Sequence, residues 1–143
     1  MQTPLPAMLF AAALSAASLP AHAQGLEPGE WQFDTTLTSP MIPKPQAGSF
    51  TRCIRKEDSE NPEKWMGGQG KNESDCKVNT TRKTADTYSW TLSCKQSNMT
   101  GSGTARLGRG SMESEQKMNG EMQGQKFEMH VTTKARRLGA CKG

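Results

Sequence analysis

The segment 76–94, CKVNTTRKTADTYSWTLSC, decides the fold. Cys76, Val78 and Thr80 alternate with Lys77, Asn79 and Thr81. Tyr88, Trp90, Leu92 and Cys94 alternate with Ser89, Thr91 and Ser93. A period of two belongs to a half-buried strand, not to a helix. Folding the two runs about Ala85 sets Cys76 opposite Cys94, Val78 opposite Leu92 and Thr80 opposite Trp90, all on one face. Directly opposed residues hold their Cβ atoms about 4.5–5.5 Å apart. A disulfide needs about 3.5–4.5 Å, so modest adjustment closes a Cys76–Cys94 bridge. The chain has four cysteines, which leaves Cys53 to pair with Cys141.

The same period runs outward from this hairpin. In Trp31-Gln32-Phe33-Asp34-Thr35-Thr36-Leu37 the large apolar residues sit at odd positions, as on a half-buried strand. Ser39 to Gly48 contains Pro40, Pro43 and Pro45 and reads as a loop or an extended edge. Phe50 to Arg55 reads as a short strand. Lys56 to Trp65 reads as a short helix limited by Pro62. Gly67 to Asp75 reads as a loop. Downstream, Met99, Gly101, Gly103, Ala105 and Leu107 share one face of a strand. A turn at Gly108-Arg109-Gly110 would set that face against Glu113, Glu115 and Lys117, so a bulge or an even-length loop must correct the phase. The last hairpin turns at Gln123-Gly124, which sets Gly120 opposite Phe127, Met118 opposite Met129 and Gln116 opposite Val131. The expectation is an all-β fold: an antiparallel meander of about seven strands forming a small barrel or sandwich, with a short helix at most and two disulfides.

Residues 7–19, AMLFAAALSAASL, form an uncharged apolar stretch that ends in Pro20 and the small-residue site Ala21-His22-Ala23. This reads as a secretory signal over 1–23, cleaved before Gln24. It falls short of the roughly 20 apolar residues that span a bilayer, and nothing later is apolar enough, so the chain is not membrane-spanning. Residues 24–143 make a single disulfide-stapled β-domain in an oxidising compartment. Hydrophobic residues make up only 33% of the chain, so the core is modest and cross-links matter.

The order of landmarks resembles a known family. Pro28-Gly29-x-Trp31 opens the domain, followed by the Met/Pro stretch 40–45 and Thr51-x-Cys53. Then come Cys76, Trp90-x-x-x-Cys94, Met99-Thr100-Gly101-Ser102-Gly103 and Ala135-Arg136-Arg137-x-Gly139-x-Cys141. Nearly all of the chain beyond the leader is similar to the small exported bacterial proteins grouped as domain of unknown function 3617. The resemblance implies a Gram-negative periplasmic location. It supplies no activity and no catalytic residues.

The residues themselves speak against catalysis. His130 is the sole histidine beyond the leader and lies out of phase with Phe127, Met129 and Val131, so it points away from the core. No nucleophile elbow, zinc-protease or phosphate-loop pattern is present. Glu113 and Glu115 share a strand face with Ser111 and Lys117, as a solvated face does. The cysteine spacing contains no close pair of the kind that holds zinc. No enzyme activity, cofactor or metal site is expected.

Two weaker signals remain. The chain has nine methionines, all but Met1 and Met8 beyond the leader, with Met118, Met122 and Met129 in one hairpin. Thioethers suit Cu(I), but methionine also fills irregular apolar gaps. The net charge is +4. A Cys53–Cys141 bridge would bring Arg52, Arg55 and Lys56 toward Lys134, Arg136 and Arg137, a candidate anion patch. Nucleic acid is not expected as a partner, since few aromatic residues remain for stacking. The expectation is a periplasmic, non-enzymatic binding protein for a small amphipathic ligand or an anionic envelope component. The alternatives are an interaction or envelope-maintenance module using the basic patch, and a Cu(I)-binding protein.

Overall fold

The computed structural model describes residues 25–66 and 75–142. The leader read over 1–23 and most of the loop read over 67–75 lie outside the described residues. The strands are β1 (Gly29–Thr38), β2 (Gln46–Ile54), β3 (Cys76–Arg82), β4 (Thr87–Cys94), β5 (Met99–Leu107), β6 (Ser111–Met122) and β7 (Gln125–Gly139). A short helix, α1 (Lys56–Glu60), and a single 3-10 turn (Pro62–Lys64) follow β2. Arg55, which the sequence assigns to the strand, instead precedes α1, and the Asp58 carboxylate accepts its backbone N–H at 3.3 Å.

All seven strands form one antiparallel sheet in the order β2-β1-β7-β6-β5-β4-β3. Each hairpin joins neighbours, and β1 reaches β7 through the long-range pairing that completes the sheet. The edge strands β2 and β3 do not pair with each other, so the barrel alternative gives way to an open, sandwich-like sheet. Both hairpin registers read from the sequence hold: Cys76↔Cys94 and Val78↔Leu92 in one, Met118↔Met129 and Gly120↔Phe127 in the other. The last turn has φ of +53° at Gln123 and +77° at Gly124, the positive pair that a tight two-residue hairpin requires.

The phase problem between β5 and β6 is solved by an even-length loop. Leu107 pairs with Met112 across Gly108–Ser111, and the Gly108 N–H donates to the Ser111 carbonyl at 2.7 Å. The even residues Met112, Ser114, Gln116 and Met118 therefore join the inner face, and Glu113, Glu115 and Lys117 the outer. A register shift does occur, but between β1 and β7 at Glu30/Trp31.

The inner face buries Trp31, Phe33, Ile54, Tyr88, Trp90, Ala105, Leu107, Met112 and Ala135 in one cluster. Leu26 and Met66, from either side of the sheet's first hairpin, complete it. Residues from β1 and β4 can share a cluster only if the sheet curls over on itself, which the right-handed twist of strands favours. One end is plugged: the Trp31 indole donates to the Glu27 carbonyl at 2.9 Å, and Arg137 Nε donates to the Pro28 carbonyl at 2.9 Å. The disulfides Cys53–Cys141 and Cys76–Cys94 both form, with Cα atoms 5.4 and 3.9 Å apart. No described cysteine is free, which removes a cysteine zinc site.

Candidate functional site

The register sorts the inner face into bands. Phe50, Phe33, Ala135, Met112 and Leu107 lie in one row across the sheet. The next holds Thr35, Thr133, Ser114, Ala105 and Tyr88, and the next Leu37, Val131, Gln116, Gly103 and Trp90. Beyond them come Met129, Met118, Gly101 and Leu92, then Phe127 and Gly120 with Met99 alongside. The face is thus apolar at the plugged end, polar across Thr35, Thr133, Ser114 and Gln116, and apolar again at the other end.

Two cavities occupy this face. The inner one, about 260 Å³, is walled by Phe33, Phe50, Trp65, Met66, Trp90 and Met112, by the polar band, and by Arg52. The outer one, about 480 Å³, is walled by Leu37, Met41, Ile42, Met99, Met122, Phe127 and Met129. Methionine suits such a wall because its unbranched, polarisable side chain adapts to varied apolar shapes. Met41 and Met122 at the rim are 55% and 64% exposed, and Phe50 at the inner cavity is 52% exposed. Large apolar side chains left in water around a concavity mark a surface that gains by being covered.

Glycines shape the floor. A Cβ on Gly103 would overlap the Trp90 ring, and one on Gly120 would overlap the Phe127 ring. Each aromatic ring occupies the space of the missing side chain of its cross-strand neighbour. Trp90 is only 5% exposed. Its indole N–H is the buried side-chain polar atom without a hydrogen-bond partner among the described residues. The other tryptophans are satisfied: Trp31 donates to the Glu27 carbonyl at 2.9 Å and Trp65 to the Asp58 carbonyl at 3.0 Å. An unpaired buried donor costs about 1–3 kcal/mol and calls for an explanation.

The cations of the candidate anion patch fall on different faces. Arg52 is on the inner face, opposite Trp31, with its guanidinium 5.8 Å from the centre of the Trp65 ring. Arg137 shares that face but is spent on the Pro28 carbonyl and on Glu27 at 3.9 Å. Lys134 and Arg136 lie on the outer face, where Lys134 sits opposite Asp34 and Glu113. Arg136 donates to the Gln32 side chain at 2.9 Å. Gln32 in turn donates to Asp34, which with the nearby Ser49 hydroxyl holds the Asp34 carboxyl below its ordinary value. Arg55 and Lys56 pair with Glu57 and Glu60 beside α1, at 3.9 and 3.7 Å. Of the six, Arg52 lines the inner cavity, and among the described residues no carboxylate pairs with it.

The outer face has its own depression, about 470 Å³, bordered by Ser89, Thr91, Ser102, Thr104, Glu115, Lys117, His130 and Thr132. His130 points away from the core as its phase requires, with Nε2 3.0 Å from the Glu128 carboxylate. Its bordering side chains are polar, and all of them but Ser89 and His130 are exposed.

Sequence reasoning found part of the outer cavity, Met122 and Met129, through the hairpin register. It placed Met118 in the same group, and Met118 does share the face, lying beside Gly101. It missed Met41 and Met99, which come from the β1–β2 loop and β5. It also missed the unpaired Trp90 donor, which no sequence signal marks, because the acceptors within reach are set by distant strands.

Among the described residues no helix is long and apolar enough to cross a membrane. The two disulfides fit an oxidising compartment. The family model described as "Protein of unknown function (DUF3617)" matches residues 26–141. No curated protein matches the chain, and no solved structure does.

Proposed function

We propose that this chain, which belongs to the protein family of unknown function DUF3617, is a periplasmic, non-enzymatic carrier or sensor of a small amphipathic ligand held on the inner face of its sheet. The observation that carries the reading is the outer cavity of about 480 Å³, lined mainly by methionine, leucine, isoleucine and phenylalanine, with Ser39, Ser97 and Glu121 beside them, and left open at a rim of exposed methionines. An alkyl chain laid there leaves water at about 0.8 kcal/mol per buried CH₂. The polar band one to two rows deeper gives such a ligand somewhere to place a polar end. Pockets of this kind, apolar with a few convergent polar groups, are where small ligands are held.

The test is displacement of an environment-sensitive fluorescent probe by a single-chain lipid. Wild-type protein is expected to enhance probe emission and to release the probe on titration. Met122→Glu puts a charge on the rim, where the side chain is 64% exposed, so folding stability should move by no more than about 0.5 kcal/mol. Lipid affinity should fall tenfold or more, because a carboxylate there must be desolvated. Unchanged affinity in Met122→Glu contradicts the reading.

The thioethers of Met41, Met99, Met122 and Met129 around one cavity also favour a second reading, a Cu(I) site. Titration of Cu(I) against a competing chelator separates the two, since an alkyl site takes up no copper. The use of a basic patch draws less support, because Arg52 and Arg137 lie on the opposite face from Lys134 and Arg136.

A further inference from the structure

We propose that the chain forms a two-fold symmetric dimer through its free edge strand β2, with the Phe50 rings of the two copies stacked at the dimer axis. The inference is independent of the ligand reading. The sheet ends in two strands that do not pair with each other, β2 and β3. An edge strand presents unpaired N–H and C=O groups, and proteins blunt it with charge, above all lysine, or with proline. The two edges differ in this respect. β3 is seven residues long and carries the exposed Lys77 and Arg82. β2 is nine residues long, is exposed from Gln46 to Cys53, and has Arg52 as its sole charge and no proline. Its register against β1 runs without a shift, so no bulge turns this edge aside.

Phe50 points to what covers this edge. Its ring stacks on Phe33 of β1, with centroids 5.0 Å apart and planes 5° apart. Neighbouring strands lie about 4.7–4.9 Å apart, so the two rings are the first rungs of a ladder that follows the sheet. The ladder stops at the edge, where Phe50 is 52% exposed. An antiparallel copy of β2, set with Phe50 on the two-fold axis, supplies the next ring in the same row. This register is self-complementary, as an isologous interface must be. Residues equally far from Phe50 on either side then meet. Thr51 faces the partner's Ser49, a hydroxyl pair that is favourable across strands. Arg52 faces the partner's Gly48, so the one charge of the strand avoids its own copy. Pairing β2 with β3 of another copy would instead set Arg52 on a strand carrying two more cations, and such a head-to-tail contact does not close on itself.

The experiment is sedimentation equilibrium of the intact, oxidised chain. One pair of strands makes a small interface, so association is weak and the series runs from about 10 µM to about 1 mM. The mass is expected to rise from one copy toward two. Gly48 supplies the test of register. It is exposed, and a Cβ there would stand 3.4 Å from Thr35 Oγ1, so the fold has room for a side chain. Gly48→Glu should tighten the dimer several-fold by facing the partner's Arg52, and Gly48→Lys should loosen it several-fold. Phe50→Lys sets two like charges on the axis and should leave a single-copy mass throughout. Opposite responses to two substitutions at one position cannot come from misfolding. A single-copy mass for the wild type at every concentration overturns the proposal. So does a dimer on which the two Gly48 variants act alike, and so does a mass that grows past two copies, the mark of β2 meeting β3.

Discussion

Trp90 concentrates the energetic tensions of the inner face. Its ring lies over Gly103, in space that a Cβ would otherwise claim, and its N–H has no partner. Packing and polarity therefore pull in opposite directions at one side chain. Gly103→Val would push the indole out of the cluster, because the obstructing atoms belong to a rigid ring and to the Glu115 backbone. Overpacking of this kind costs about 1–3 kcal/mol. Urea unfolding is expected to show a loss in that range together with loss of ligand binding; an unchanged midpoint would mean the ring does not sit over Gly103 in solution. The alternation that turns Trp90 inward was legible from sequence; its register against Gly103 on β5 was not read. Whether the N–H finds an acceptor was not, since that depends on side chains of distant strands.

At the scale of elements, the β3–β4 hairpin shows why so much of this fold could be read. Strict alternation fixes the face, and the cysteines at its open end fix the register. The turn has its own anchor. The Thr84 and Thr87 hydroxyls donate to the Asp86 carboxylate at 2.7 and 2.9 Å, and these bonds hold its pKa below 3.8. A depressed folded pKa means the carboxylate is stabilised in the native state. Its contribution is fully present above the unfolded value near 3.8 and is lost as pH falls through the lower folded value. Carboxyl-detected NMR should therefore place the Asp86 midpoint below 3.8, with the turn amides shifting in step. A midpoint at or above that value contradicts the turn geometry. The β5–β6 connection was less legible. Gly108, Arg109 and Gly110 announce a turn but not its parity, and parity decides which half of β6 faces inward.

For the whole molecule, the open sheet leaves two edges exposed to fraying, and each carries a staple. Cys76–Cys94 ties β3 to β4, and Cys53–Cys141 ties the end of β2 to the segment after β7, across the end of β1. The bridges close separations of 18 and 88 residues. Chain entropy alone assigns them about 3 and 4.5 kcal/mol. Paired Cys→Ser variants should lose stability in that order, with the Cys53/Cys141 pair the more damaging in urea unfolding; the reverse order would show that the β3 edge governs stability. Whether the sheet closes was not legible, because it turns on whether the two edge strands, far apart in sequence, meet. The outer cavity was half legible for the same reason: one hairpin supplies Met122 and Met129, but Met41 and Met99 arrive from elsewhere in the chain.

The central claim is that the inner face takes up an amphipathic ligand with its chain among the methionines of the outer cavity. The most direct measurement is an NMR titration of palmitate that follows the three tryptophan indole N–H signals and the methionine methyls together. Trp31 and Trp65 already donate to backbone carbonyls, so their indole signals should stay in place. The methyls of Met99, Met122 and Met129, which wall the outer cavity, should shift together as the ligand saturates. Saturating palmitate that leaves these methyls unmoved, or that perturbs only outer-face residues around His130, would contradict the account.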